Sequence, residues 1–148
     1  MKILMVCLGN ICRSPLAHGL LRDKAQDRIE VDSAGTGNWH EGEAPDHRMI
    51  RTARKHGVDI SDLRARTFVV EDFERFDLIY VMDESNYDNV VKLARNENDV
   101  KKVHLLLSLI DDINETEVPD PYFGGDAGFE HVYKLVDAAT DVIIKQQL

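Results

Sequence analysis

The sequence has 148 residues, of which 43% are apolar and 30% charged, a composition typical of one globular domain, here residues 1–148. Its net charge of −9 argues against a nucleic-acid partner, because a nucleic-acid backbone is bound through a basic surface. No apolar run is long enough to cross a membrane, no signal-peptide pattern begins the chain, and the two cysteines form no disulfide framework, so a cytoplasmic protein without a membrane partner is expected.

The first predicted element is a short apolar strand, Ile3–Val6, which leads directly into the segment Cys7–Ser14. Because Pro15 follows Ser14 as in a typical helix start, Cys7–Ser14 is predicted to be a strand-to-helix turn. Gly9 and Asn10 tolerate the left-handed backbone that such a turn uses. The loop can therefore direct its backbone N–H groups at an anion in its centre.

Five residues separate Cys7 from Arg13, and both are expected at the same bound phosphate. A guanidinium forms two parallel hydrogen bonds to phosphate oxygens. The loop dipoles, the helix N-terminus and Arg13 favour the thiolate of Cys7, while Ser14 either donates its hydroxyl to the sulfur or caps the helix. A thiolate below a phosphate can attack phosphorus in line, so Cys7 is the predicted nucleophile. The other predicted substrate contacts of the loop are Leu8, Gly9, Asn10, Ile11, Cys12 and Ser14.

Predicted strands and helices alternate along the rest of the chain. Hydrophobic periodicity and capping residues predict a helix with Leu16–Leu21, a strand at Ile29–Ser33, a helix from Pro45-Asp46 to Gly57, a strand at Leu78–Met82, a helix capped by Asp83, a strand at Val103–Leu107 and a last helix with Phe129–Ile143. This alternation implies a doubly wound α/β fold, in which four parallel strands carry helices on both faces. Ligands of such folds bind beyond the carboxyl ends of the strands, where the Cys7 loop lies.

The segment 108–126 has weak periodicity, and long irregular segments of compact domains are commonly functional. It contains Asp120, whose backbone is restricted by the following Pro121, so that the direction of its carboxyl group is fixed. Attack by Cys7 requires a proton for the leaving oxygen, and Asp120 is the predicted general acid. Asp111-Asp112 is a rival pair of carboxylates without such a constraint.

The predicted reaction has two steps. Cys7 takes the phosphoryl group while Asp120 protonates the leaving oxygen, and the ionised Asp120 then activates water to hydrolyse the cysteinyl-phosphate. Arg13 and the loop amides stabilise the equatorial oxygens in both transition states. The sequence has no Cys/His cluster with zinc spacing, and neither a metal nor another cofactor is expected.

Over essentially its whole length the sequence resembles the low-molecular-weight protein tyrosine phosphatases. The resemblance rests on the segments Val6–Pro15, Asp32–Thr36, Val81–Asn86 and Asp120–Tyr122. It implies a flavodoxin-like sheet with strand order 2-1-3-4. It also implies hydrolysis of phosphotyrosine in proteins and of small aryl phosphates, and binding of inorganic phosphate or other oxyanions in the loop.

The resemblance further implies roles for two aromatic residues and for the second cysteine. Trp39 and Tyr122 are expected to sandwich the phosphotyrosine ring; the alternative for Trp39 is a loop aromatic packed on the protein surface. Cys12 either forms a reversible disulfide with Cys7 that protects the nucleophile, which the resemblance favours, or is a small buried residue that supports the loop.

Bracing of the loop by Asn10, Ser33 and Asp83 is also implied by the resemblance. The chain departs from the family at Leu63, where many relatives carry a bracing histidine, and at Phe123, where many animal members have a second tyrosine.

Three alternative functions use the same scaffold. An arsenate reductase relays electrons through further cysteines beyond the loop, and this sequence has none. Arginine-phosphate phosphatases, by resemblance, carry threonine where this chain has Ile11, which favours tyrosine. A non-enzymatic phosphate-binding or phosphocysteine-carrier module needs no general acid, and Asp120 argues against it.

Overall fold

The computed structural model describes residues 1–122 and 124–148, so the family departure at Phe123 lies outside the described residues. Its elements are β1 (Lys2–Cys7), α1 (Arg13–Ala25), β2 (Glu30–Gly35), α2 (His47–Lys55), α3 (Asp72–Arg75), β3 (Leu78–Val81), α4 (Glu84–Val91), α5 (Glu97–Lys101), β4 (Val103–Leu105), a 3₁₀ helix (Leu106–Leu109) and α6 (Asp126–Gln147). None of the helices in these two ranges is long and apolar enough to span a membrane.

The four strands form one parallel sheet in the order β2-β1-β3-β4, which confirms the predicted topology. β1 pairs with β2 on one side, where Cys7 lies opposite Gly35, and with β3 on the other. The strand order therefore reverses at β1, since β2 lies on one side of it and β3 on the other. The carboxyl end of β1 is the topological switch point at which ligands of doubly wound folds bind.

Both faces of the sheet are buried, because alternate residues of each strand point to opposite sides. In β1, Ile3 and Met5 pack into a core shared with α1, α2 and α6. Leu4 and Val6 pack on the other face, in a core that includes Phe73. This two-sided burial explains why the sequence of β1 is a continuous apolar run.

Capping residues set the starts of two helices as predicted. Asp83 and Asn86 form a reciprocal capping box at the start of α4, and the Asp46 carboxylate accepts the Arg48 N–H at the start of α2. Gly57 follows α2 with a φ of 82°, a left-handed conformation that favours glycine.

The fourth strand is shorter than predicted, and that boundary was wrong. β4 ends at Leu105, because the carbonyl groups from this point on accept hydrogen bonds from within the chain segment itself. The Ser108 hydroxyl donates to the Leu105 carbonyl, and the Ile110 N–H donates to the Leu107 carbonyl. The apolar run thus continues as a 3₁₀ turn that packs against α6, with Leu106 and Leu107 buried and Leu109 partly buried. The short helices α3 and α5 were not predicted.

Candidate active site

The loop after β1 is held by its carbonyl groups. Three neighbouring N–H groups donate to these carbonyls: Thr36 to Cys7 at 2.9 Å, Gly37 to Leu8 at 2.8 Å and Asp46 to Ile11 at 2.8 Å. The amides of Gly9, Ile11 and Cys12 have no acceptor in the described part of the chain. These amides are therefore available to an oxyanion.

Asn10, and not Gly9, carries the left-handed backbone of the loop. Its φ is 56°, whereas the φ of Gly9 lies outside the left-handed region. A side chain at Gly9 would instead press on His40, since a Cβ there would lie 3.0 Å from Cδ2 of that ring. Of the two residues expected to tolerate a positive φ, only Asn10 uses it.

The Cys7 sulfur lies in a small hydrogen-bond network. Its Sγ is 3.0 Å from the Ser14 hydroxyl and 3.3 Å from the Asn10 N–H. The Asn10 side-chain amide donates to the same hydroxyl at 2.7 Å, so the Ser14 hydrogen can go to the sulfur at 3.0 Å or to the more distant Ala34 carbonyl at 3.5 Å. Because α1 begins at Arg13 without a side-chain cap, Ser14 serves the sulfur and not the helix end.

Asn10 is itself fixed from the opposite side of the loop. Its side-chain oxygen accepts the backbone N–H of Arg66 at 3.0 Å, and the Arg66 guanidinium pairs with Asp32 and with the buried Asp72. Leu63, where the chain departs from the family pattern, lies three residues before Arg66 in the sequence. Its side chain is buried and contributes no polar group.

Arg13 is 2% exposed and is held along one side by protein atoms. Its Nη1 donates to the Asp83 carboxylate at 2.7 Å and to the Val118 carbonyl at 3.0 Å. Burial acts to lower the pKa of Arg13, but Cys7 and Asp83 outweigh it and raise that pKa above its ordinary value. The guanidinium is therefore a permanent, oriented cation beside the loop.

Asp120 faces the other nitrogen of this guanidinium. Its Oδ2 lies 3.8 Å from Nη2 of Arg13, and its Oδ1 accepts the Tyr122 N–H at 3.0 Å. The carboxyl group is part-exposed and lines the same cleft as Cys7. The rival pair Asp111-Asp112 is exposed and does not line this cleft.

The cleft has a volume of about 290 Å³. It brings together predicted site residues from three separate parts of the chain: Cys7, Leu8, Gly9, Ile11, Cys12, Arg13, Trp39, Asp120 and Tyr122. Asn10 and Ser14 lie behind the loop, where they contact the sulfur.

Two residues of the site were missed by the sequence analysis. His40 lines the cleft between Gly9 and Tyr122, with Nδ1 2.9 Å from the Glu43 carboxylate. Arg48 donates to the Tyr122 carbonyl at 2.9 Å, and its guanidinium lies 5.6 Å from the Tyr122 ring centre. The position of His40 beside Trp39 was an available signal, whereas Arg48 looks like any basic residue on a helix surface.

The second cysteine differs from the first in its environment. Cys12 is 4% exposed, and burial, together with Asp46 and Cys7, raises the pKa of its thiol. Both cysteines are free. The Ser33 hydroxyl lies 2.9 Å from Nδ1 of His18 on α1, so the side-chain hydrogen bond that the structure gives it joins β2 to α1 and is not the expected brace on the loop.

Residues 2–148 match the family model described as low molecular weight phosphotyrosine protein phosphatase. The chain is 40% identical to a low molecular weight protein-tyrosine-phosphatase of Streptomyces coelicolor, over 94% of this chain and 88% of that protein. It resembles the crystal structure of a protein tyrosine phosphatase from Entamoeba histolytica with Hepes in the active site, with a TM-score of 0.92, 37% identity and coverage of 99% and 96%. It also resembles DARP, a Drosophila arginine phosphatase, with a TM-score of 0.91, 31% identity and coverage of 99% and 97%.

Proposed function

Because this chain belongs to the low molecular weight phosphotyrosine protein phosphatase family, and is thus a protein-tyrosine phosphatase, we propose that Cys7, Arg13 and Asp120 carry out the hydrolysis of its phosphate esters. The observation that carries the proposal is their convergence on one cleft, where the Arg13 guanidinium lies between the loop and the Asp120 carboxyl group. No other described carboxylate lines that cleft.

In the first step Cys7 Sγ attacks phosphorus, so that an S–P bond forms as the P–O bond to the leaving group breaks. The Ser14 hydroxyl and the Asn10 N–H support this proposal, because both hydrogen-bond the attacking sulfur and favour its anion. Asp120 gives its proton to the leaving oxygen. The free loop amides and Arg13 bind the three equatorial oxygens, where charge develops.

In the second step water replaces the leaving group. Asp120, now ionised, takes a proton from water as the water oxygen attacks phosphorus. The S–P bond breaks, the thiolate of Cys7 is restored and inorganic phosphate leaves the loop. The same donors serve both steps, which explains why a buried and fixed arginine suits this position.

For the substrate we propose a phosphotyrosine side chain held between Trp39 and Tyr122, both of which line the cleft. An aromatic ring placed between two others gains about 1 kcal/mol beyond the burial of its area. The oxyanions that bind the loop are proposed to include inorganic phosphate, the product.

The resemblance to an arginine phosphatase makes phosphoarginine the second candidate substrate. Ile11 lines the cleft and places a branched apolar side chain beside the reacting group, which suits an aromatic ester. We expect turnover of phosphotyrosine peptides to exceed that of phosphoarginine and phosphoserine peptides, and the reverse order would favour the second candidate.

The proposed compartment is the cytoplasm, where thiols remain reduced and a free Cys7 is preserved. We propose that residues 1–148 act as one phosphatase domain on phosphoproteins, without a nucleic-acid or membrane partner.

Removal of the nucleophile is the first test. We expect Cys7→Ser to lower kcat for p-nitrophenyl phosphate by about a thousand-fold or more, because the serine hydroxyl is not ionised at neutral pH. Binding of vanadate to the variant, measured by calorimetry, is the control for an intact loop. Near-normal turnover by the variant would end the proposed role of Cys7.

Removal of the acid is the second test. We expect Asp120→Asn to lower kcat by about a hundred-fold for phenyl phosphate, whose leaving oxygen is basic, and less for p-nitrophenyl phosphate. The measurement is a series of aryl phosphates with graded leaving groups. An equal loss across the series would remove Asp120 from the acid role.

A further inference from the structure

Building on the proposed function, we propose that a second groove, which shares Trp39 with the active-site cleft, binds the substrate segment next to the phosphotyrosine. It would take an apolar side chain beside Leu93 and an acidic side chain at Lys92. This assigns a class of protein substrate to the enzyme, which the catalytic loop alone does not do.

The second groove, called the Lys92 groove here, has a volume of about 340 Å³. Leu8 and Trp39 line both this groove and the active-site cleft, so the two spaces meet at these side chains. The remaining lining residues are Thr36, Gly37, Phe68, Asn89, Lys92 and Leu93. A substrate chain that leaves the cleft on this side enters the Lys92 groove directly.

The wall between the two spaces is fixed to the phosphate loop. A Cβ on Gly37 would lie 1.8 Å from Cζ3 of Trp39, which shows that the indole rests on the backbone of Gly37. The Gly37 N–H in turn donates to the Leu8 carbonyl at 2.8 Å. The position of the indole is thus coupled to the loop that holds the phosphate.

The groove presents apolar surface that nothing in the described chain covers. Leu8, Trp39 and Leu93 are 39%, 67% and 47% exposed, which is unusual for neighbouring large apolar side chains. Behind them Phe68 is buried and packs edge-to-face on Phe73, with ring centres 5.3 Å apart. An apolar occupant would cover this surface and displace its water.

Lys92 adds charge selectivity to the groove. It lies at the end of α4, its side chain is exposed, and within residues 1–122 and 124–148 no acidic side chain pairs with it. In a chain with a net charge of −9, a cation at this position favours a carboxylate on the occupant. Asn89, on the same helix, offers a further donor and acceptor.

Because Leu8 and Trp39 line both spaces, the Lys92 groove suits a residue close to the phosphotyrosine. Two residues of extended peptide span about 7 Å, which is enough to cross one indole ring. Small aryl phosphates end inside the cleft and cannot reach Lys92. The groove therefore acts only on peptide and protein substrates, and this difference separates the two proposals experimentally.

The test compares two phosphotyrosine peptides that differ at one residue. In one, the phosphotyrosine is followed by Leu and then Glu, and in the other by Leu and then Lys; the comparison is repeated with a second pair of peptides in which the same two residues precede the phosphotyrosine. We expect Lys92→Glu to lower kcat/KM for the Glu peptide by about fivefold and to raise it for the Lys peptide by a similar factor. The enzyme variants also include Leu93→Ser, which should lower kcat/KM for both peptides by about threefold.

Turnover of p-nitrophenyl phosphate is the internal control and should be unchanged in both variants. Lys145→Glu reverses a charge at the end of α6, at a residue that lines neither space. This variant should leave kcat/KM unchanged for every substrate. The proposal is overturned if Lys92→Glu leaves the preference between the two peptides unchanged. It is also overturned if the wild type is a dimer in solution and Lys92→Glu dissociates it, because a second copy of the chain would then cover the groove. A wild-type protein that hydrolyses neither peptides nor p-nitrophenyl phosphate would instead overturn the proposed function, and the subsite with it.

Discussion

Gly35 shows how closely the fold packs against the phosphate-binding loop. It is the last residue of β2, and a Cβ there would lie 2.8 Å from the Leu8 carbonyl oxygen and 3.1 Å from the Asn10 nitrogen. Both neighbours are backbone atoms, so a side chain at this position cannot be accommodated by a rotamer change. The loop itself would have to shift.

We therefore predict that Gly35→Ala lowers kcat/KM for p-nitrophenyl phosphate by about tenfold or more, because a small displacement of the donors costs transition-state stabilisation. Inhibition by inorganic phosphate should weaken in parallel. Gly128→Ala in α6, where the nearest neighbour of an added Cβ is 3.8 Å away, is the matched control and should keep full activity. Equal activity of the two variants would contradict this explanation.

The reactive groups were predictable from the sequence, but only part of the groups that hold them were. Support of the loop by Asn10, Ser14 and Asp83 was expected, whereas the part played by Gly35 was not. A nucleophile, a phosphate-binding arginine and a general acid have residue types and a spacing that their chemistry demands, as at Cys7, Arg13 and Asp120. Gly35 becomes important only when β2 pairs with β1 in the register that sets it opposite Cys7. A local pattern does not contain that register.

At the level of elements, α2 connects the two loops of the active site. At its N-terminus the Asp46 N–H donates to the Ile11 carbonyl of the phosphate loop at 2.8 Å. Two residues later Arg48, paired with the Asp46 carboxylate at 2.9 Å, donates at 2.9 Å to the Tyr122 carbonyl of the acid loop, the segment that carries Asp120. The helix thus sets the position of the Asp120 loop relative to the Cys7 loop.

We predict that Arg48→Gln lowers kcat for phenyl phosphate by about tenfold and has a smaller effect on p-nitrophenyl phosphate, because a lost charged hydrogen bond loosens the acid loop. In combination with Asp120→Asn the change should add little further loss. Arg51→Gln on the same helix, whose partner Asp126 is exposed, should leave kcat unchanged. A loss that is independent of the leaving group would show that Arg48 does not position the acid.

Periodicity predicted the strands and long helices, but not how residues 108–122 are placed. This segment is tied to distant elements by the Val118 N–H to the Met82 carbonyl at 2.8 Å and by Glu117 to the Glu84 N–H at 2.7 Å. His131 on α6 pairs with Glu115 at 2.8 Å. Such contacts join residues far apart in the chain, so the sequence identified Asp120 without showing what orients it.

At the level of the whole molecule, an acidic protein binds an anionic ester. The net charge of −9 repels phosphate at long range, and attraction depends on donors that are close to the loop. Arg13 is buried and its charge is partly balanced by Asp83, so it adds little to the outer field. Recognition is consequently local, which fits a substrate selected by the shape and donors of the cleft.

A second buried basic group affects the stability of the whole fold. His18 of α1 is 8% exposed, and its Nδ1 lies 2.9 Å from the Ser33 hydroxyl of β2. Burial lowers the pKa of His18 to about 4. Of the charged groups around the ring, Asp32 and Asp62 raise this pKa, whereas Arg22 and Arg66 lower it further. The ring is therefore neutral inside the protein at a pH where an unfolded chain protonates it.

The sign of the resulting pH dependence follows from linkage. Because the folded pKa of about 4 lies below the unfolded value of 6.5, the unfolded state binds the proton first as pH falls. The stabilising effect of a neutral His18 is complete above pH 6.5 and is lost progressively towards pH 4. Between pH 7 and pH 4.5 this single group should lower the free energy of unfolding by about 2 kcal/mol.

We predict that His18→Gln, which cannot titrate and retains a polar side chain for Ser33, loses about 2 kcal/mol less unfolding free energy than the wild type over this interval. Urea unfolding at pH 7 and at pH 4.5 measures the difference, and carboxylates that titrate in both proteins cancel from it. His104→Gln, at an exposed position of β4, is the control and should follow the wild type. If the unfolding free energy of His18→Gln falls with pH in parallel with that of the wild type, the packing between α1 and β2 admits a protonated imidazole. In that case α1 is held against the sheet less tightly than its buried contacts indicate.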